Sequence, residues 1–384
     1  MENSITTKIS RFFPLFLREK LLGIDWMLLS SAFLIALAGL VTMNSFVEEQ
    51  SHFFEKQLIW IVVSVVLFFL VSVVDFRFLR RSGVIITIFI VSCVVLALLF
   101  LIGHVSKGAQ SWFHLGAFSV QPSDLSKLVL ILILSKYFTR RHVEIAHIRH
   151  IIVSAFYAFV LFFLILLQPD FGGAIIIFLL WFGMVMVSGI SKKHLITVFL
   201  VGITAFSGLW FYVFQDYQKQ RIMTFINPLA DVRGAGYNAY QSMIAVGSGQ
   251  ILGKGVGYGT QSKLRFLPEY QTDFIFAAFA EEWGFVGVVI IFLLFGVMIW
   301  RILENAFRGA TNFEMLFGMG IAIFFMIHFI INIGMNIGLL PVTGITVPFM
   351  SYGGSHLLTE FLALGMIMGM RRYSRSTHKD LLSS

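Results

Sequence analysis

The sequence predicts an all-α polytopic membrane protein with about ten transmembrane helices, and three observations support this. First, 58% of the residues are hydrophobic and only 12% are charged, whereas about 25% are charged in soluble domains. Second, the chain contains a series of apolar runs, each close to the ~20 residues that a bilayer-spanning helix needs. Third, basic residues are concentrated in alternate connections. A soluble globular fold is therefore excluded.

The apolar runs give the predicted spans directly. They cover residues 24–46, 57–74, 83–102, 123–138, 148–168, 172–190, 195–214, 274–300, 313–336 and 349–370. The fourth run is the weakest, because it opens with Asp124, Ser126 and Lys127 and its clean apolar part is short. If it were re-entrant, every later segment would be reversed, so the charges of the connections must decide the topology.

Basic residues predict that both termini are cytoplasmic, since short cytoplasmic loops are enriched in Lys and Arg. With the N-terminus inside, the inner segments hold Lys8, Arg11, Arg18, Lys20, Arg77, Arg80, Arg81, Lys136, Arg140, Arg141, Arg149, Lys192, Lys193, Arg301, Arg308, Arg371, Arg372, Arg375 and Lys379. The N-terminal stretch has no small-residue cleavage site, which predicts an uncleaved anchor. The net charge of +8 indicates contact with anionic lipids rather than nucleic acid, because the basic loops lack interleaved aromatic residues.

The connection between the seventh and eighth spans is unusually long. Residues 215–273 form one outer, periplasmic loop within a single membrane domain that covers residues 1–384. Loops of this length are usually functional or disordered, and the aromatic and aliphatic residues of this one argue against disorder. Tyr237, Tyr240 and Ile244 recur at helical spacing, which predicts a helix lying in the membrane interface.

Ionisable residues within or beside the spans are the candidate chemical groups, because such residues are costly in a bilayer and usually face a wet cavity or another helix. For Asp273, Lys127 and Asp170, which group at the outer boundary, we favour a functional role. For His328 and Glu360, we favour pairing between helices. The remaining candidates are Asp124, at the start of the fourth span, and Glu281 and Glu282, about two turns into the eighth.

Several familiar motifs are excluded. The glycine-rich stretch GSGQILGKGVGYG (247–259) is not a phosphate-binding P-loop, because Ser248 stands where the pattern needs its first glycine and Gly255 follows the lysine. SYGGS (351–355) does not match the GxSxG nucleophile elbow. No pair of histidines combines zinc-ligand spacing with an open chemistry behind it. The remaining candidate groups are carboxylates and basic side chains at the outer boundary of the membrane.

Basic residues accompany the carboxylates there. Asp124 and Lys127 lie three residues apart in QPSDLSK, so they share a helix face and could pair. This inventory indicates an anionic, membrane-tethered substrate that approaches from the outer leaflet. An aspartate could act as general base on a sugar hydroxyl, and cations could stabilise a leaving diphosphate. The loop cations are Arg221, Arg233, Lys254, Lys263 and Arg265.

Four segments carry a resemblance to a known family. They are QPSDLSK (121–127), QPDFG (168–172), FLPEYQTDFIFAAFAEEWGFVG (266–287) and LPVTGITVPFMSYGGS (340–355). In this order, and over the chain from the first span to the last, they resemble the signature segments of the SEDS family of shape, elongation, division and sporulation proteins. GTQSKLRFLPE (259–269) and the short tails are more similar to the rod-shape members than to the division members.

The resemblance implies a bacterial cytoplasmic (inner) membrane enzyme that polymerises lipid II into peptidoglycan strands during cell elongation and so controls cell shape. Its substrates would be lipid II and an undecaprenyl-diphosphate-linked glycan. Its partners would be a class B penicillin-binding protein transpeptidase, elongation complex proteins and membrane lipids, with no nucleic acid. No organic cofactor is expected, whereas a divalent cation, Mg²⁺ or Mn²⁺, would bind with Asp273.

The resemblance also implies roles for residues. Asp273 matches the family's essential carboxylate in TDFIFA and is the expected catalytic base. Ser111, in GAQSWFHLG (108–116), stands where the family usually has Arg, and Asp124 where Glu is commoner. Ser111 in place of Arg removes a cation. Either Lys107 or a loop arginine replaces that cation, or its role is absent here. The expected substrate-binding residues are Trp112, Gln121, Asp124, Lys127, Asp170, Arg221, Glu269, Thr272 and Ser351.

The expected reaction is an inverting glycosyl transfer. Asp273 deprotonates the 4-hydroxyl of an acceptor lipid II, which attacks the anomeric carbon of the donor. Undecaprenyl diphosphate leaves, and Lys127 and Arg221 hold its charge. The alternatives are a lipid II flippase, a division-type polymerase, and a scaffold whose carboxylates only pair structurally. Transporters tend to place their site near the midplane between inverted repeats, so the lack of a repeat and the charged cluster at the outer edge favour an enzyme.

Overall fold

The computed structural model describes residues 23–45, 51–106, 109–115, 118–139, 148–189, 192–212, 236–264 and 266–382, with single residues 219, 223 and 225. The elements are α1 (Trp26–Asn44), α2 (Ser51–Ser72), α3 (Ser82–Ile102), β1 (His104–Ser106), β2 (Ala109–Leu115), β3 (Phe118–Val120), α4 (Pro122–Thr139), α5 (Ile148–Leu166), α6 (Phe171–Val187), α7 (Lys192–Tyr212), α8 (Tyr237–Ser248), α9 (Thr260–Lys263), α10 (Ile275–Phe307), α11 (Asn312–Asn336) and α12 (Gly354–Leu382). A 3-10 turn covers Phe76–Arg80.

Each predicted span contains a helix, namely α1 to α7 and α10 to α12. Within the described ranges, six of these are long and apolar enough to cross a membrane by length and composition: α1, α2, α3, α5, α10 and α11. The prediction of an all-α polytopic membrane protein is therefore confirmed. The sequence did not predict the small antiparallel sheet in which β2 lies between β1 and β3.

Hydrogen bonds show which helix ends lie together. At one end, Gln121 N before α4 donates to Ser355 Oγ in α12 (3.0 Å). At the same end, Asn336 Nδ2 of α11 donates to Asp273 O before α10 (3.2 Å). We call this the hairpin end, because the antiparallel strands β1 to β3 lead into α4 here. The opposite, basic end holds the short connections rich in Arg and Lys.

Helix α11 is largely buried in the bundle, with 72% of its most apolar stretch enclosed by protein. Phe325 of α11 contacts Phe349 (ring centroids 5.2 Å apart), and Phe349 contacts Phe361 of α12 (5.2 Å). Polar residues that α11 carries toward the hairpin end are therefore enclosed by protein rather than lipid.

At the basic end, Asp25 joins three helices. Its Oδ1 accepts from Leu28 N (3.2 Å) at the start of α1. Its Oδ2 accepts from Arg301 Nη2 (2.5 Å) and Asn305 Nδ2 (2.9 Å) of α10, and from Arg371 Nη1 (3.2 Å) of α12. Burial alone would raise the pKa of Asp25, but the hydrogen bonds from Arg301 and Asn305 outweigh it and lower that pKa below its usual value.

We expect Asp25→Asn to cost about 3 kcal/mol of stability near neutral pH, because two arginines then face a neutral amide. Since the pKa of Asp25 is lowered on folding, its stabilisation is complete above the ordinary value of 3.8 and is lost as the pH falls through the lower folded value. Wild type and variant should therefore converge in acid, measured as unfolding temperatures across a pH series.

The matched control is Asp75→Asn, because the Asp75 carboxylate is 48% exposed and pairs with Arg77. Exposed pairs contribute about 0–1 kcal/mol, so this control should change little. A loss for Asp25→Asn that persists unchanged in acid would contradict the ionic explanation.

Helix α10 is broken near its start at Gly284, where φ is +65° and ψ is −167°. The loop after α8 occupies the break, and its backbone pairs with the backbone groups that the break releases. A lipid environment requires such groups to be satisfied by protein. The bonds are Lys254 N to Glu281 O (2.9 Å), Gly255 N to Glu282 O (3.0 Å), Phe285 N to Gln250 O (2.9 Å) and Val286 N to Ile251 O (3.1 Å).

The break changes the position of the two predicted intramembrane glutamates. Residues 285–307 alone extend about 34 Å as a helix, enough to cross the hydrocarbon core. Glu281 and Glu282 precede this part and fasten the loop instead. Glu281 Oε1 accepts from Lys254 Nζ (2.7 Å), and Glu282 Oε1 accepts from Gly257 N (3.0 Å). Lys254, predicted as a substrate cation, is thus engaged by Glu281.

We expect Gly253→Ala to prevent normal folding, and Gly257→Ala to be tolerated. Both glycines have positive φ, +79° and +81°, so both substitutions carry the same backbone strain of about 1–2 kcal/mol. Only Gly253 is also crowded, because a Cβ there would lie 2.1 Å from Glu282 O, whereas Gly257 has open space within 4 Å. Monodisperse yield after heating measures the difference, and equal losses would contradict the docked loop.

Candidate functional site

Asp273 lies in a tight turn that leads directly into α10. Thr272 N, Asp273 N and Phe274 N all donate to the carbonyl of Glu269, at 3.1, 3.1 and 3.2 Å. Glu269 has φ +52°, and the side chains of Leu267 and Phe274 are buried on either side of the turn. Asp273 itself is half-buried. A rigid turn therefore carries the predicted base.

Two asparagines of α11 hold the backbone of Asp273. Asn332 Nδ2 donates to Asp273 O (2.9 Å) and to Ile345 O (2.6 Å), and Asn336 Nδ2 also donates to Asp273 O. Asn336 accepts in turn from Ser242 Oγ of α8 (3.0 Å). Both asparagines are fully buried. Sequence analysis missed this pair, although two asparagines four residues apart in an apolar span could have indicated a buried polar contact between helices.

Helix α8 is present where the spacing predicted it, and Ser242 and Ala245 are its buried residues. Ser242 faces Asn336 of α11, whose buried amide needs a partner. The position of α8 in the membrane interface stays a prediction.

We expect Asn332→Ala to lower kcat about ten- to a hundredfold, because a small displacement of a reacting group can cost that much. The KM for substrate should change less, since Asn332 acts through Asp273. The control is Asn312→Ala, an exposed residue at the basic end. Full turnover by folded Asn332→Ala protein would contradict the positioning role.

The segment before α12 packs against the same turn. Ser351 Oγ donates to Thr272 O (2.7 Å) and accepts from Val347 N (2.9 Å). Thr272 Oγ1 donates to Glu269 Oε2 (3.1 Å). A Cβ placed on Gly344 would lie 3.5 Å from Asp273 Oδ2, so this segment runs beside the carboxylate. Four predicted site residues, Glu269, Thr272, Asp273 and Ser351, are thus brought together.

A second cluster contains the other predicted residues. Lys127 Nζ lies 2.8 Å from Asp124 Oδ1, and both side chains are buried. Gln121 Nε2 reaches Asp170 Oδ2 at 3.5 Å. Asp170 caps α6 by accepting from Gly173 N (2.8 Å). Burial raises the pKa of Asp170, against the opposing effects of the Gly173 hydrogen bond and the Lys127 charge.

The segment 343–345 lies between the two clusters. A Cβ on Gly172, two residues after Asp170, would lie 2.7 Å from Thr343 O, while Gly344 faces Asp273. Trp112 is half-buried on β2, opposite His104. Lys107, Arg221, Arg233 and Arg265 lie outside the residues whose side chains the structure describes.

The described donors do not form a metal site by themselves. Within the described ranges, His, Cys, Asp and Glu side chains do not come together in any group of three or more that could hold a metal ion. The predicted Mg²⁺ or Mn²⁺ at Asp273 would therefore need ligands beyond these side chains.

Comparison with known proteins decides the family. The model of the cell cycle protein family FTSW_RODA_SPOVE matches residues 19–376. The chain belongs to this family. The resemblance to shape, elongation, division and sporulation proteins is thereby confirmed.

Two relatives are similar to this FTSW_RODA_SPOVE member over most of their length. Peptidoglycan glycosyltransferase MrdB of Escherichia coli (strain K12) is 38% identical over 297 residues, which cover 77% of this chain and 78% of MrdB. Stage V sporulation protein E of Bacillus subtilis (strain 168) is 37% identical over 329 residues, 85% of this chain and 89% of that protein.

Solved structures also resemble this chain over most of its length. The rod shape determining protein RodA of Thermus thermophilus is 29% identical with a TM-score of 0.68, over 91% of this chain and 96% of RodA. A chain from a structure described as a peptidoglycan synthase complex that coordinates polymerization and crosslinking has a TM-score of 0.78 at 29% identity, over 91% of this chain and 98% of that chain.

Proposed function

We propose that this FTSW_RODA_SPOVE member is a peptidoglycan glycosyltransferase that polymerises lipid II during cell elongation. The observation that carries the proposal is the arrangement of Asp273, which is fixed by Asn332 and Asn336, across segment 343–345 from the buried Asp124–Lys127 pair. A fixed carboxylate near a cation suits proton removal from a hydroxyl combined with departure of an anion. The name of the relative MrdB, a peptidoglycan glycosyltransferase, supports the same activity.

The proposed reaction uses Asp273 as the general base. It takes the proton of the 4-hydroxyl of acceptor lipid II while that oxygen bonds to the anomeric carbon of the donor. The bond from this carbon to the diphosphate oxygen breaks with inversion, and undecaprenyl diphosphate leaves. Lys127, with Arg221 from the long loop, stabilises the developing negative charge. The proton then passes from Asp273 to water.

Substrate contacts are assigned to the side chains around these two groups. We propose that Glu269 and Thr272 orient the acceptor beside Asp273, and that Gln121, Asp124, Asp170 and Trp112 line the donor side. Ser351 contributes mainly by joining its segment to Thr272, since its hydroxyl already donates and accepts once.

The proposal places the hairpin end at the outer face of the bacterial inner membrane and both termini in the cytoplasm. The described connections at the basic end carry Arg77, Arg80, Arg81 and Arg308, and Arg301 lies in the last turns of α10 beside them, as the positive-inside rule expects for the cytoplasmic side. A class B penicillin-binding protein would dock to the chain and cross-link its product. The synthase-complex structure that resembles this chain supports such a partnership.

The test separates polymerisation from lipid transport in one preparation. Purified protein is reconstituted in liposomes with labelled lipid II, with and without a class B penicillin-binding protein. We expect glycan polymer on gels and no accelerated movement of lipid II between leaflets. Transbilayer movement without polymer would instead support the flippase alternative.

A further inference from the structure

His356 is a buried histidine beside the Asp124–Lys127 pair. It lies near the start of α12, with Nδ1 3.3 Å from Asp124 Oδ1 and Nε2 3.0 Å from Glu360 Oε1. Its exposure is 8%, and the two carboxylates are 3% and 1% exposed. The imidazole therefore bridges a carboxylate of α4 and a carboxylate of its own helix.

This position favours a charged ring. Nδ1 hydrogen-bonds Asp124 Oδ1, whereas Nε2 lies against Glu360 Oε1 as an ionic contact without hydrogen-bond geometry. A neutral imidazole has one N–H, so only the imidazolium presents an N–H to both carboxylates. Glu360 Oε2 accepts from Phe349 N (2.9 Å), while its other oxygen faces His356. A buried carboxylate needs a compensating cation. Lys127 on Asp124 and an imidazolium on Glu360 give each of these two carboxylates a neighbouring cation.

The remaining neighbour is His328 of α11, whose ring centroid lies 5.1 Å from that of His356. His328 Nδ1 lies 2.9 Å from Phe324 O, and because a carbonyl only accepts, Nδ1 carries the proton. The charged and titratable groups around His356 are thus Asp124, Lys127, His328 and Glu360.

Lys127 and His356 both approach Oδ1 of Asp124. Among the described residues, none donates a hydrogen bond to Asp124 Oδ2, although this atom is buried. Lys127 has three N–H donors, and one is used on Oδ1. Within the described part of the chain, one oxygen of Asp124 and two protons of the Lys127 ammonium therefore have no hydrogen-bond partner.

We propose that His356, held by Glu360, is a positioning residue of the transferase site: it shares Oδ1 of Asp124 with Lys127 and so keeps Oδ2 and the Lys127 ammonium directed at the substrate diphosphate and sugar. This inference rests on the proposed function. It assigns Glu360 a second task beyond pairing helices, because Glu360 fixes the ring that acts on Asp124.

The test compares His356→Gln with His356→Lys in the full chain with its transpeptidase partner. His356→Gln keeps a donor but removes the charge, and we expect kcat for lipid II polymerisation to fall about tenfold or more. His356→Lys keeps the charge and should recover most of that loss. In wild type, kcat should fall at high pH as the ring loses its proton, and in His356→Lys this fall should move to higher pH. His194→Gln, at the basic end, is the control and should be unchanged.

A role in helix packing alone predicts different results. Both His356 variants would then lose thermal stability while kcat per folded molecule stayed at the wild-type value, and this would overturn the inference. A second readout is independent of activity: ¹⁵N NMR of labelled histidines, assigned with His356→Gln, should show His356 as imidazolium at neutral pH. A neutral ring would also overturn the inference.

Failure of the proposed function gives a separate signature. If wild-type protein with its partner forms no polymer, the proposed function is rejected. If wild type is active and His356→Gln retains full kcat, only the role of His356 is rejected.

Discussion

Asp273→Asn is expected to abolish lipid II polymerisation, with a loss of about 10²- to 10⁴-fold, because an amide cannot take the proton of the attacking hydroxyl. The fold should survive, because several contacts of Asp273 do not depend on its carboxylate: Asn332 and Asn336 bind its carbonyl, and its N–H donates to Glu269. A gel assay of labelled lipid II, with melting temperature and partner binding measured on the same protein, tests both parts.

Asp75→Asn at the basic end is the matched control for this variant and should polymerise normally. Two outcomes would contradict the account. Full polymerisation by Asp273→Asn would remove the base from the mechanism. Lost stability or partner binding, with normal turnover of the remaining folded protein, would favour the scaffold alternative.

Lys127→Met is expected to lower kcat/KM about 10²- to 10³-fold, because removing one group that stabilises developing charge costs that much in enzymes. Methionine is close in length to the lysine stem, so packing within α4 is largely kept. The substitution leaves Asp124 buried with a smaller compensating charge, which also costs stability. Initial polymerisation rates over a range of lipid II concentrations measure the effect.

A double variant separates charge balance from catalysis. Asp124→Asn combined with Lys127→Met removes both members of the pair, so thermal stability should recover while activity stays low. Lys193→Met, an exposed residue at the basic end, is the control for loss of a lysine. Recovery of polymerisation in the double variant would show that Lys127 acts only as a structural partner of Asp124.

The spans were predictable because hydropathy and loop charge are properties of local sequence. The helices α1 to α7 and α10 to α12 each overlap a predicted run. The larger differences are that α2 already begins at Ser51, that α10 continues to Phe307, and that α12 covers Gly354–Leu382, after the turn that follows Pro348. The turn around Asp273 was also readable, since Pro268 and the carboxylates interrupt the apolar pattern just before a long span.

The break in α10 was not predictable from local sequence. Gly284 follows Glu281, Glu282 and Trp283 at the start of a long apolar run, and a glycine inside a helix pattern is ordinarily tolerated. The break is stabilised by the backbone of residues 250–255, and these contacts exist only in the folded protein. For the same reason, the glycines of 247–259 could be excluded as a P-loop but not assigned a role.

The long-range polar contacts in the site could not be predicted from the sequence either. Asp124 and His356 are 232 residues apart in sequence, and neither residue has a local pattern that points to the other. The clamp of Asn332 and Asn336 on Asp273 needs the relative position of α10 and α11. Sequence motifs indicated which residues matter chemically, whereas the groups that position them required the packed structure.

The most direct test of the central claim is polymerisation with the partner's transpeptidase blocked. Purified protein, a class B penicillin-binding protein acylated by a β-lactam, and labelled lipid II are combined, and glycan products are resolved on a gel. We predict polymer with the wild-type chain and none with Asp273→Asn or with the partner alone. Absence of polymer from the wild-type chain, or equal polymer from the partner alone, would contradict the claim that this chain is the polymerase.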